Sequence, residues 1–216
     1  MDLLYSILLY SSWIGYFFAI YTIIKNKSMI RKRHFWIMLS VLCIGISTDL
    51  LTAILIKFEI YSTIQEYIYS LILGPLVFLL YKNEISIRTV KLLSTALIAL
   101  YFIFFISYFI LNFDLMIEVS IPYITLIIIV LMLSLTYLFD TFLKMEIPDL
   151  TKSFFFWINT GFMVYFGFSL FLHFFSEVVT QDINIFMYTW PIQLISTIFF
   201  NITIIIGVWR TKQISY

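Results

Sequence analysis

The chain alternates seven runs of about 20 mostly apolar residues with short polar connections, and a run of that length is what an α-helix needs to cross a bilayer. The runs lie near 3–24, 35–56, 60–81, 92–112, 119–140, 153–175 and 185–209. Backbone N–H and C=O groups in hydrocarbon must be satisfied within their own segment, so helices are expected; spanning strands would be half as long. Apolar residues make up 62% of the 216. A soluble domain carries about 45–50%, and a fold of this size has no interior able to hide the surplus. The expected class is all-α: a polytopic membrane protein forming one seven-helix transmembrane domain over 1–216.

Loop charges give each connection a side. Of the 13 Lys and Arg residues, all but Lys57 fall in alternate loops. Lys25, Lys27, Arg31, Lys32 and Arg33 are in the first loop; Lys82, Arg88 and Lys91 in the third; Lys144 and Lys152 in the fifth; Arg210 and Lys212 in the tail. The other side carries Asp2, Glu59, Asp114, Glu118, Glu177 and Asp182. Positive charge is retained on the cytoplasmic face, so the N-terminus is expected outside, the C-terminus inside, and the location is the cytoplasmic membrane. The first run is not read as a signal peptide. It starts Met1-Asp2 rather than with a basic cluster, it is of full membrane length, and its basic residues follow it.

These features narrow the function by exclusion. Seven helices leave no length for a soluble kinase, nuclease or ATPase, and a net charge of +1 supplies no field for nucleic acid. Cys43 is the single cysteine, so no intrachain disulfide or cysteine-rich metal site is expected, and a packing role inside a helix is. His34 and His173 fall on opposite sides of the membrane and cannot share an ion. No lysine lies within a span to form a retinal Schiff base, and no serine-nucleophile, phosphate-loop or zinc-protease motif occurs. The chain is therefore read as non-enzymatic, without cofactor or metal.

Ionisable groups inside a span are expensive and face the protein interior or water. Asp49 and Glu66 are the acids that stand deep in the expected spans. They lie eight residues before and nine after Lys57, which places both at about 12–14 Å from the outer surface on adjacent helices. Ser62 and Ser70 share the face of Glu66, and Thr52 lies one turn from Asp49. Gly161, Tyr165, Ser169 and His173 recur every four residues on helix six, as do Gln193, Thr197 and Asn201 on helix seven, where Pro191 loosens the backbone. A ligand site at Asp49, Glu66, Gln193, Ser62 and His173, open to the outside, is expected from this pattern. The competing reading is that these hydroxyls and amides hold helices together at about 0.6–2 kcal/mol per contact.

Three stretches carry a family resemblance: Leu73-Gly74-Pro75-Leu76-Val77-Phe78-Leu79-Leu80-Tyr81-Lys82, Phe156-Trp157-Ile158-Asn159-Thr160-Gly161-Phe162-Met163-Val164-Tyr165-Phe166, and Asn201-Ile202-Thr203-Ile204-Ile205-Ile206-Gly207-Val208-Trp209. They resemble the third, sixth and last helices of small bacterial seven-helix membrane proteins that are similar to the membrane input domains of sensor histidine kinases. The resemblance implies a sensor or accessory protein embedded in the lipid bilayer and signalling to a separate protein such as a histidine kinase, because the sequence stops seven residues beyond helix seven. A small transporter, proton-coupled or not, and a structural subunit of a membrane complex are the alternatives.

Overall fold

The computed structural model describes residues 2–30, 32–57, 64–111, 121–144, 149–174 and 183–212. Among these residues are seven α-helices and no strand: α1 Asp2–Lys25, α2 Lys32–Lys57, α3 Ile64–Glu84, α4 Arg88–Leu111, α5 Ile121–Lys144, α6 Phe154–Phe174 and α7 Ile183–Lys212. Short 3-10 turns follow α1 at Lys27–Met29 and precede α6 at Leu150–Lys152. Six helices hold a stretch long and apolar enough to cross a membrane: Leu4–Lys25, Arg33–Leu51, Arg88–Ile110, Ile121–Lys144, Phe154–Phe174 and Pro191–Thr211. Helix α3 has a shorter apolar stretch, Tyr67–Lys82, of about 24 Å against a hydrocarbon core of about 30 Å. Seven spans are expected from the sequence, and six helices meet that length among the described residues.

Many hydroxyls inside these helices bond backward to a carbonyl three or four residues earlier. Thr22 donates to Phe18 O at 2.7 Å, Ser47 to Cys43 O at 2.7 Å, Thr125 to Ile121 O at 3.0 Å and Thr160 to Phe156 O at 2.9 Å. A hydroxyl satisfied by its own helix can face hydrocarbon without leaving an unpaired donor. Large apolar side chains such as Phe17, Leu92, Ile103 and Phe142 are exposed, as a lipid-facing surface requires. Cys43 is exposed on α2 rather than packed inside, contrary to its expected role.

The chain divides into two compact units, Met1–Trp36 with Ile147–Tyr216, and Ile37–Glu146. In the first unit α7 packs on both α1 and α6. The α6–α7 register is antiparallel: Trp157 and Phe154 meet Gly207, Phe200 and Thr203 meet Gly161, and Ser169 meets Gln193. Glycine is what lets the two backbones approach. A Cβ on Gly207 would stand 2.9 Å from Trp157 Cβ and 3.3 Å from the Phe154 carbonyl oxygen, and one on Gly161 would collide with Thr203 and Phe200. Phe162 stacks on Phe200 across the same interface, with ring centroids 5.3 Å apart.

In the second unit α5 packs on both α3 and α4. Tyr69 meets Tyr123 with ring centroids 5.8 Å apart, and the Tyr81 hydroxyl lies 2.8 Å from Ser134 Oγ, so α3 and α5 run parallel. Helix α4 returns against α3, pairing Tyr108 with Tyr67 and Tyr101 with Ser70. Pro75 has no N–H to give to the carbonyl of Leu71, which weakens α3 there. The Tyr101 hydroxyl donates to the adjacent Ser70 carbonyl at 3.0 Å, and its ring occupies the place where Gly74 lacks a Cβ, 2.8 Å from where that atom would lie. The Gly-Pro pair thus marks a turn of α3 that lacks one backbone hydrogen bond and is covered by a side chain of α4.

Helix α4 begins at Arg88 rather than near 92, and α5 ends at Lys144 rather than near 140. Both differences trace to Asp140, whose side chain is 1% exposed. It accepts from the Ile87 amide at 2.8 Å and the Ser86 amide at 3.3 Å, the donors at the entrance of α4. Lys144, one turn on, places its ammonium 2.6 Å from the same carboxylate. The sequence expectation singles out Asp49 and Glu66 as the deep acids; Asp140 is a buried acid that it passes over, because the expected fifth span ends on this residue.

Candidate functional site

Helices α6 and α7 carry their recurring polar faces towards each other at the end of the unit away from Gly207. The centre of that contact is Ser169, fully buried on α6. The Gln193 amide donates to Ser169 Oγ at 3.0 Å. In the alternative orientation the Ser169 hydroxyl donates to Gln193 Oε1 at 3.1 Å, and it also reaches the Tyr165 carbonyl at 2.9 Å. One turn further along α6, His173 Nδ1 lies 2.8 Å from the Ser169 carbonyl, which accepts when that nitrogen carries the proton. Ser196 and Thr197 both donate to the Gln193 carbonyl, at 2.7 and 3.0 Å. Pro191, two residues earlier, has no N–H to give to the α7 backbone ladder.

The other end of the α7 polar stripe meets α1. Asn201 is fully buried, its Nδ2 at 3.5 Å from the Ser12 carbonyl, a long contact, and Gly15 leaves the room it occupies. Asn201 Oδ1 and Trp13 Nε1 are buried with no protein hydrogen-bond partner. A buried acceptor and a buried donor left over in one three-helix unit call for water or another small polar molecule, since an unmet buried polar group is costly.

Of the five expected site residues, Gln193 and His173 are brought together, both on Ser169. Asp49 stands half-buried on α2, in the second unit. The side chain of Glu66, and Ser62 as a whole, lie outside the described residues. Ser169 belongs to the four-residue repeat visible in the sequence, yet its role as the hub depends on α6 and α7 being antiparallel neighbours in that register. The available chemistry is that of hydroxyls, amides and one imidazole: it can recognise donors and acceptors on a neutral or weakly charged molecule. Among the described residues, no group of three His, Cys, Asp or Glu side chains is placed to hold a metal ion.

Fold and site together define a helical, multi-pass membrane protein with hydrogen-bonded polar contacts between helices of its first unit. No protein-family model, no curated protein and no solved structure matches the chain.

Proposed function

We propose that the chain is a non-enzymatic membrane sensor or accessory protein that takes a small ligand or lipid from the outer side and signals to a separate partner. The observation that carries this reading is the convergence of Gln193 and His173 on Ser169, away from the basic end of α6 and α7. With the basic loops on the cytoplasmic side, that cluster lies towards the outside. Gln193 retains a second amide hydrogen and acceptor capacity on Oε1 beyond its Ser169 bond. A ligand hydroxyl or amide that competes for these groups binds more tightly when α6 and α7 are parted at this end. Such a difference in affinity between two packings is what coupling to a partner requires.

The test is co-reconstitution of the full chain with membrane-bound histidine kinases in proteoliposomes. Autophosphorylation is compared for no chain, the wild type and Gln193→Leu. The reading expects the wild type to change kinase activity and Gln193→Leu to alter that change. No effect on any kinase, together with no co-purification, overturns it. A structural subunit is the second reading, and the mutual Ser169–Gln193 hydrogen bond is what favours it, because each group largely satisfies the other. It expects Gln193→Leu to lower stability while leaving partner activity per folded molecule unchanged.

A further inference from the structure

The first unit gathers its cations at one end. Phe154 and Trp157 at the start of α6 meet Gly207 near the end of α7, and the His34 ring packs on Phe155 with centroids 5.6 Å apart. The turn Lys27–Met29 packs on α7, and the turn Leu150–Lys152 packs on both α6 and α7. The end of α1, the start of α2, the start of α6 and the end of α7 therefore share one end, and α1 runs parallel to α7. Segments distant in sequence bring Lys25, Lys27, Arg33, Lys152 and Arg210 to it. The one carboxylate described there is Asp149, which accepts from the Thr151 hydroxyl at 2.6 Å and lies 3.6 Å from the Lys152 ammonium.

Several of these cations are seated on aromatic rings. The Lys27 ammonium lies 5.4 Å from the Phe35 ring centre and 5.8 Å from that of Trp36. Lys25 lies over Tyr21 at 5.6 Å, and Arg210 beside Trp209 at 6.0 Å. Tyr21, Trp36 and Trp209 are themselves more than half exposed, at 58%, 52% and 58%. Exposed amphipathic rings beside cations at the end of a membrane bundle mark the headgroup level of the bilayer. Orientation of the chain requires only that basic residues be present in these loops. It does not require that they be held on rings and collected from four segments.

We propose that this end of the first unit binds the headgroup of an anionic phospholipid. Lys25, Lys27, Arg33 and Arg210 supply the positive field, and Trp36 and Trp209 lie along the acyl boundary. The guanidinium of Arg210 offers a planar fork to the phosphate oxygens, and Lys27, restrained over two rings, offers a point charge whose ordering has largely been met beforehand. Asp149 is engaged by Thr151 and Lys152, so the patch keeps a net positive charge for an anion to neutralise.

The test is native mass spectrometry of the full chain in detergent, titrated with phosphatidylglycerol or with phosphatidylcholine of the same acyl chains. Phosphatidylglycerol is expected to bind about 25-fold more tightly or better, at about fivefold for each of Lys27 and Arg210. The double variant Lys27→Gln with Arg210→Gln loses that preference and keeps its phosphatidylcholine binding; Lys27→Arg retains both. Lys82→Gln with Lys91→Gln, an equal loss of charge in the second unit, leaves the preference intact. Equal binding of the two lipids overturns the proposal, as does an equal loss in the Lys82 and Lys91 variant, which would make the attraction diffuse. Displacement of phosphatidylglycerol by millimolar inorganic phosphate would assign the patch to a soluble anion instead.

Discussion

Replacing Asp140 by alanine tests how the basic end of the second unit is built. The carboxylate accepts from Ile87 N–H at 2.8 Å and from the exposed Ser86 N–H at 3.3 Å, and pairs with Lys144 at 2.6 Å. A hydrogen bond to a charged acceptor, such as that from the part-buried Ile87 amide, contributes about 1.5–3 kcal/mol. The longer Ser86 bond adds little, because water can replace it. Lys144 is 20% exposed, so its ammonium can extend towards water and does not incur the full loss of about 3–5 kcal/mol seen when a buried pair is broken. The sum for Asp140→Ala is a destabilisation of about 2–4 kcal/mol, and for Asp140→Asn, which keeps an acceptor, about 1–2 kcal/mol. Reversible unfolding in mixed detergent–SDS micelles measures both, and amide hydrogen exchange reports Ile87 directly. An Asp140→Ala protein within about 0.5 kcal/mol of wild type, or with unchanged Ile87 exchange, would refute the account, since that change is what an unremarkable surface site gives.

Three further outcomes follow from the helix contacts. Gly207→Ala places a Cβ against Trp157 and the Phe154 carbonyl and should cost about 1–3 kcal/mol in the same unfolding assay; Gly167→Ala, with nothing within 4 Å of the added atom, should be neutral or stabilising. Tyr101→Phe removes the hydroxyl bond to Ser70 and should cost about 0.5–1.5 kcal/mol, with faster exchange of the α3 amides around Pro75. A double-mutant cycle on Ser169→Ala and Gln193→Leu should give a coupling of about 0.6–1.7 kcal/mol by thermal unfolding; additive effects would mean that the two side chains do not bond.

The polar site was partly legible before the structure. The four-residue repeats of α6 and α7 are visible because a helix returns to the same face each turn, and Gln193 and His173 stand on them. What the repeats lack is the partner of each face. Gln193 turns to Ser169 on α6, whereas Asn201, on the same stripe, turns to Ser12 on α1. Thr197 satisfies its hydroxyl on its own helix. Asp140 was missed for a different reason: an acid followed by Thr141 and then by a lysine one turn later reads as the point where a span meets water. Only the return of α4 to that point shows the carboxylate to be buried under the amides it accepts from.

Sequence alone determined the solvent and the secondary structure. Hydrocarbon leaves helices as the available form for a spanning segment, and membrane thickness dictates its length, so apolar runs locate the helices without knowledge of their neighbours. Alternation of charge in the loops needed no fold either, because the membrane itself sorts it. Tertiary structure decided which helices touch, in which direction and at what register. That information resides in close contacts such as Gly207 on Trp157 and Tyr101 in the gap at Gly74, and in hydrogen bonds between residues far apart in the chain. In lipid, apolar burial drives no helix towards a particular partner; small residues and a few polar groups make that choice, and their pairing cannot be read along one strand of text.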